Sequence, residues 1–216
     1  MTRLKTLLIP LLMLALVSVV VGCEEGTEGI ITPKPISEPT TPARFSTYTS
    51  EGLFSISYPS DWAPATSIMG DLWEEIKAEM ESDIPDISME DTSMVFLAGR
   101  PRNGEYYPSV NIVVVSRTRG YSRLDEVAAA EDELERMYPT PGYELLSRTR
   151  TTVGGIEALV DDSVDNEPGY GKWRYIQVLL VKDKFVWVVT CAAEFDDFRY
   201  YEDDFYDTVR SFRVLQ

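Results

Sequence analysis

Seven carboxylate side chains crowd a short stretch near the end of this sequence. They are Glu194, Asp196, Asp197, Glu202, Asp203, Asp204 and Asp207. Hard cations such as calcium take oxygen ligands from groups of this kind, so the densest part contains a candidate metal cluster, made of Asp196, Asp197, Glu202 and Asp203. The competing interpretation is the solvated face of an amphipathic helix, because three of these acids, Glu202, Asp203 and Asp207, fall opposite the apolar stripe that includes Phe198 and Phe205. That interpretation is favoured, since no EF-hand spacing occurs.

A second candidate is a stretch of acids, glycines and aromatic residues, 161–173, placed between two predicted strands. The residues expected to contact a partner are Asp162, Asp165, Tyr170 and Trp173. Exposed aromatic side chains give a large contact area at a small entropic cost, so this stretch predicts a long partner-binding loop. The alternative is an ordinary hairpin loop whose aromatic residues fold back onto the sheet.

The N-terminus carries a third chemical signal. Two basic residues, Arg3 and Lys5, precede an apolar run that ends in Val-Val-Gly followed by Cys23. This pattern is typical of a lipoprotein signal peptide, 1–22, after which Cys23 is acylated. An apolar run this short is not long enough for a comfortable membrane span. The sequence therefore predicts an extracytoplasmic protein anchored to the cell membrane by lipidated Cys23, where two or more acyl chains give stable attachment.

Absent residue types exclude several classes of enzyme. The sequence contains no histidine, which rules out Ser-His-Asp and Cys-His catalysis and typical histidine-ligated zinc sites. Acylation of Cys23 leaves Cys191 without a disulfide partner, and its apolar neighbours predict a buried, unreactive thiol. No motif indicates a cofactor. The expectation is a non-enzymatic protein, with a carboxylate-dependent hydrolase left as the remaining catalytic possibility.

The charge balance is strongly acidic. Removal of residues 1–22 takes away Arg3 and Lys5 and no acid, so the formal net charge moves from −16 to −18. Such a charge repels nucleic-acid phosphates and anionic lipid headgroups. Nucleic acid is therefore excluded as a partner, and the membrane contact has to come from the lipid.

Composition divides the mature chain into two parts. Residues 23–44 contain four prolines and no aromatic residue, which is typical of a disordered tether. Residues 45–216 have the length and apolar content of one domain.

Periodicity within that domain predicts strands joined by tight turns. The clearest hairpins are Tyr143–Thr151 with Ile156–Asp161, around Gly154-Gly155, and Tyr175–Val181 with Phe185–Ala192. The second pair is apolar almost throughout and is expected to be buried on both faces. A further hairpin joins Met94–Ala98 and Val110–Ser116 across a turn over residues 99–108.

Three amphipathic helices are expected to cover the strands. One begins at Asp71 as a cap, one follows the cap Ser122 and ends before Pro139, and one carries Phe198, Phe205 and Val209. Met80, Met89 and Met94 are interpreted as core filler rather than soft-metal ligands. The predicted fold class is α/β (α+β), an antiparallel sheet of about six to eight strands with helices on both faces.

Three motifs resemble PsbP-like domains. The segment 53–62 contains F-S-I-S-Y-P-S-D-W, similar to the F-x-[IV]-x-Y-P-x-x-W opening of that family. Residues 201–214 are similar to its closing helix and final S-F strand, and 154–158 match its mid-domain G-x-x-[AG] hairpin. The resemblance implies an α/β/α sandwich used for protein binding, with no catalytic motif to carry over.

Taken together, the sequence predicts a lipid-anchored extracytoplasmic accessory protein that binds another protein or an envelope complex. The alternative is a lipoprotein that binds a metal or a small ligand through its acidic surface carboxylates.

Overall fold

A large antiparallel sheet forms the centre of the molecule. The computed structural model describes residues 44–83, 89–102, 105–116, 123–137, 139, 141–167, 171–183 and 185–215. The signal peptide, Cys23, nearly all of the tether and Tyr170 lie outside these residues. Within them, no helix is long and apolar enough to cross a membrane.

The large sheet has seven strands in the order β3-β4-β5-β9-β8-β7-β6. Their bounds are β3 Ala63–Pro64, β4 Thr92–Arg102, β5 Glu105–Ser116, β6 Glu144–Val153, β7 Ile156–Glu167, β8 Gly171–Lys182 and β9 Phe185–Glu194. The predicted hairpins are all present, and the fold class is confirmed. Strands β4 and β5 extend into the predicted turn over residues 99–108, and a register shift between Gly99 and Pro101 lets their pairing continue past the proline.

Three further strands form a separate small sheet, in the order β1-β2-β10. They are β1 Phe45–Ser50, β2 Phe54–Pro59 and β10 Arg213–Val214. The predicted strand around Ile56 therefore pairs with the two ends of the domain instead of joining the large sheet. Phe54 of β2 packs edge-on against Trp187 of β9, with ring centroids 5.8 Å apart, so the small sheet is stacked on the large one.

Helices cover both faces of the large sheet, as predicted. The described helices are α1 Thr66–Asp83, α2 Leu124–Met137 and α3 Glu202–Ser211, with a short 3-10 turn Phe198–Tyr200 before α3. One hydrophobic cluster joins helix α3, through Phe205, and the small sheet to Trp187 of β9. Helices α1 and α2 share the other, which contains the predicted methionine filler Met80, Met89 and Met94.

Two helix starts differ from the prediction. Helix α1 begins at Thr66, so Asp71 is an exposed interior residue and not the cap. The residue before α2 is Arg123, whose backbone N–H donates to Glu126 Oε2 at 3.0 Å. Glu126 thereby occupies the acceptor position of a capping box. The predicted cap Ser122 lies outside the described residues.

Strands β8 and β9 are the buried centre. Both are buried along nearly their whole length, which confirms the prediction from their continuous apolar sequence. Cys191 of β9 is fully buried, and burial raises the pKa of its thiol. The predicted burial of this thiol is confirmed, and burial disfavours the thiolate, which is the reactive form.

The turn between β6 and β7 is fixed by a close backbone contact. Gly154 has φ +59°, and a Cβ built there would lie 2.8 Å from the carbonyl oxygen of Phe212. Gly155 has φ +80° with open space around it. Both glycines are therefore needed for their positive φ angles. Gly154 is needed also because a side chain there would collide with the backbone that leads into β10.

Replacement of these two glycines by alanine separates the two effects. We expect Gly155→Ala to lower the free energy of unfolding by about 1 kcal/mol, from backbone strain alone. Gly154→Ala adds the clash with Phe212 and should lower it by about 2–3 kcal/mol. Urea denaturation of both variants measures the difference, and equal destabilisation would contradict the close contact.

Candidate functional site

The predicted partner-binding loop is shorter than expected. Strand β7 continues through Asp165 to Glu167, and β8 resumes at Gly171, with Asp165 opposite Trp173 and Glu167 opposite Gly171. The prediction of a long loop over residues 161–173 is therefore wrong. Asp161, Asp162 and Asp165 are accommodated in strand because their side chains are paired or buried in the sheet.

Strand alternation separates the candidate loop residues. Asp162 lies on the α3 face of the sheet, where Arg174 donates to it from Nε at 2.9 Å and from Nη2 at 2.7 Å. Asp165 lies on the opposite face beside Trp173, and both residues are buried. The predicted loop residues that the structure describes are thus divided between the two faces of the sheet. A binding role for them stays a prediction.

The structure instead brings the hairpin end close to the predicted acidic cluster. Trp173 of β8 pairs with Glu194 of β9, and the backbone N–H of Phe195 donates to the carbonyl of Lys172 at 2.9 Å. Asp196 and Asp197 follow directly in an exposed turn. Two stretches that are more than twenty residues apart in sequence therefore meet at one end of the sheet.

Exposed aromatic rings mark this end. Phe195 is 38% exposed and Tyr200 is 66% exposed. A cation covers each ring: Lys172 Nζ lies 3.7 Å from the Phe195 centroid, and the Arg199 guanidinium lies 4.7 Å from the Tyr200 centroid. We call Lys172, Phe195, Arg199 and Tyr200 the aromatic corner. Aromatic and arginine side chains of this kind are enriched at protein interfaces.

The carboxylates predicted to bind a cation do not converge. Glu202 lies 3.5 Å from Arg174, while Asp196, Asp197 and Asp203 are exposed. In the described part of the chain, no group of three or more acidic or cysteine side chains has a geometry that could hold a metal ion. The first turn of α3 contains Glu202 and Asp203, where negative charge is favoured by the helix dipole.

A buried ion-pair network, which sequence analysis missed, lies between α2 and β6. Arg148 of β6 donates to both carboxylate oxygens of Asp161 on β7, with a shortest distance of 2.7 Å. The same guanidinium reaches Glu131 Oε2 at 3.1 Å and Asp132 Oδ1 at 2.8 Å on α2. Asp161 is fully buried and Glu131 is 3% exposed. One arginine therefore joins the helix to the sheet through three carboxyl groups.

The pairing of Arg148 with Asp161 has a signal in the sequence. A two-residue turn at Gly154-Gly155 sets Val153 opposite Ile156, and counting outward sets Arg148 opposite Asp161. Opposite charges at facing positions on two adjacent strands predict a cross-strand ion pair. The contribution of Glu131 and Asp132 depends on where α2 packs, which strand register does not give.

Burial controls the protonation of this network. Desolvation raises the pKa of Glu131 well above its usual value, and the neighbouring Asp161 and Asp132 charges add to the rise while Arg148 opposes it. Desolvation also raises the pKa of Asp161, although its hydrogen bonds from Arg148 counter part of the effect. Both carboxyl groups are sealed between α2 and the sheet, so they act as a cross-link rather than as an acid and base facing a substrate.

Solved structures resemble this chain at low sequence identity. Cyanobacterial PsbP from Synechocystis shares 9% identity at a TM-score of 0.49, over 81% of this chain and 94% of that one. LpqN of Mycobacterium tuberculosis, a protein involved in cell envelope biogenesis, shares 12% at a TM-score of 0.47, over 79% and 91%. A Pseudomonas aeruginosa protein of unknown function shares 12% at a TM-score of 0.43, over 78% and 96%.

No family model and no curated protein matches the sequence. Membership of the PsbP-like family therefore stays a prediction from the three motifs.

The raised pKa of Glu131 makes stability depend on pH. The folded chain keeps this proton above about pH 4.5, the ordinary pKa, where the unfolded chain has released it. The free energy of unfolding then falls by about 1.4 kcal/mol per pH unit from this group alone, until the raised pKa is reached. Glu131→Gln should remove that slope, because glutamine keeps the side-chain shape without titrating.

Urea denaturation between pH 5 and pH 8 measures this effect. Glu144→Gln, an exposed position on β6, is the matched control and should keep the wild-type slope. Parallel pH profiles for wild type and Glu131→Gln would show that Glu131 is ionised in the folded chain.

Proposed function

We propose that this chain is a non-enzymatic accessory protein, anchored outside the cytoplasm through lipidated Cys23, that binds another protein or an envelope complex through the aromatic corner. The observation that carries the proposal is the pair of exposed rings, Phe195 and Tyr200, each stacked under a cation at one end of the sheet. Stacked cations limit the side-chain motion that a partner would otherwise have to freeze on binding.

The charges around the aromatic corner favour a partner with basic groups. Glu194, Asp196 and Asp197 are exposed beside the rings, and the whole chain carries a formal charge of −16. Complementary charge steers association and disfavours acidic competitors. An acidic rim around aromatic anchors therefore suits a basic protein surface and not nucleic acid.

Chemical features support a binding role over catalysis. The sequence has no histidine, and the carboxyl groups with raised pKa values in the Arg148 network are sealed in the core. Asp162 and Glu202 are paired with Arg174. These arrangements hold the fold together, whereas the exposed rings are available to a partner.

Membrane attachment is tested at Cys23. We expect the wild-type chain to incorporate a clickable fatty-acid analogue and to fractionate with membranes, because acylation of Cys23 supplies the anchor. Cys23→Ala should lose the label and leave the membrane fraction. Cys191→Ala is the control and should keep the label, since its thiol is buried. Labelling that survives in Cys23→Ala would contradict the anchor.

Partner binding is tested by site-specific photo-crosslinking in intact cells. A photoreactive amino acid at position 200 should give one discrete adduct, and Lys172→Ala/Phe195→Ala in the same chain should abolish it. The control probe replaces Leu215, which is 48% exposed, follows β10 and donates its backbone N–H to the carbonyl of Leu53 beside the small sheet. No adduct at position 200, or the same adduct from both probes, would contradict binding through the aromatic corner.

A further inference from the structure

Strand β6 is the terminal strand of the large sheet. In the described chain it pairs with β7 on one side, and no described strand lies on its other side. Residues Glu144 to Ser147 are exposed, followed by half-buried and exposed residues up to Arg150. The outer edge of β6 therefore presents unpaired backbone groups over about six residues, a normal strand length.

The edge lacks the usual protection against pairing with another strand. Native edges are often protected by lysine or proline, and β6 contains neither. Its two arginines are engaged by acids of the same chain: Arg148 by Asp161 and α2, and Arg150 by Asp125 and Glu157. A bulge between Leu145 and Ser147 perturbs only the first residues of the strand.

Apolar side chains cluster at the start of the edge. Leu145 and Leu146 are 39% and 45% exposed. Helix α2 runs antiparallel to β6, because Asp125 near its start contacts Arg150 and Asp132 further on contacts Arg148. Because of this direction, Met137, the exposed last residue of α2, lies towards the Leu145 end of β6. An apolar anchor point thus lies at one end of the free edge.

The flank of the edge is acidic. Helix α2 contains six acids and one arginine in fourteen residues. Asp125 and Asp132 are exposed on it, and Glu144 is exposed on β6 itself. Asp132 reaches Arg148 and Asp125 reaches Arg150 on β6, so the next strand outward would lie in the field of this acidic face. Lysine or arginine side chains on that strand would be attracted and acidic ones repelled.

We propose that the outer edge of β6 accepts an extended basic segment of a partner protein as an added strand. Backbone hydrogen bonds to β6 provide the affinity, as in other complexes formed by strand addition. Basic side chains face the acidic flank of α2, and one or two apolar residues at the end of the segment cover Leu145 and Leu146. This surface is separate from the aromatic corner and acts whether or not that corner binds a partner.

A random twelve-residue peptide library displayed on phage is selected against the purified full chain in detergent micelles. We expect enriched peptides to be basic, with apolar residues near one end. Leu145→Lys/Leu146→Lys should weaken their binding at least tenfold, because it removes the apolar anchor and adds like charge. Leu215→Lys is the matched control and should bind as wild type does, and Tyr200→Ala should also bind normally if the two surfaces are independent.

Backbone pairing is tested on the peptide itself, which avoids any effect of a variant on folding. N-methylation of the four central amides of the best peptide should abolish binding, while the unmodified peptide should slow hydrogen exchange of β6 amides and leave exchange in β9 unchanged. Equal binding of the N-methylated peptide would overturn strand addition. Enrichment of acidic peptides, loss of binding in Leu215→Lys to the same extent, or no enrichment at all would overturn the proposal as well.

Discussion

Burial of β8 and β9 on both faces is the constraint on which the other layers depend. Trp187 of β9 packs against Phe54 of the small sheet and Phe212 after α3 on one face. Val188, one residue on, points to the other face and packs in the cluster shared with α1 and α2. A strand pair with no solvated face has to be covered twice, so both outer layers exist because this pair is apolar throughout.

The two outer layers are attached in different ways. The small sheet and α3 are held by ring packing around Phe54, Trp187 and Phe205. Helix α2 buries Leu124 and Val127 near its start, but towards its end it is held by Glu131 and Asp132 on Arg148. A buried charge network costs desolvation and contributes little net stability, yet it fixes the helix in one place. The acidic α2 is thereby held on the sheet face that carries Arg148 and Arg150 of β6.

The proposed interaction surfaces lie at the margins of the large sheet, where the outer layers end. The aromatic corner is formed where β8 begins and β9 gives way to the 3-10 turn, and the free edge of β6 is where the sheet stops. At both places exposed apolar side chains adjoin carboxylates, and an acidic surface combined with apolar anchors suits a basic protein partner. The carboxyl groups deeper in the chain contact Arg148 or Arg174 and are part of the scaffold.

Local pattern in the sequence determined the hairpins, the buried β8–β9 pair, the three amphipathic helices and the burial of Cys191, because strand alternation and helical periodicity are set by neighbouring residues. The sequence also indicates the pairing of Arg148 with Asp161, because the two-residue turn at Gly154-Gly155 sets which residues of the two strands face each other. Only tertiary structure decided that β2 joins β1 and β10, that β7 continues through Asp162 and Asp165, and that Lys172 meets Phe195. These outcomes depend on which distant segments pack together and which sheet face each side chain takes, and contacts between residues far apart in sequence leave no periodic signal along the chain.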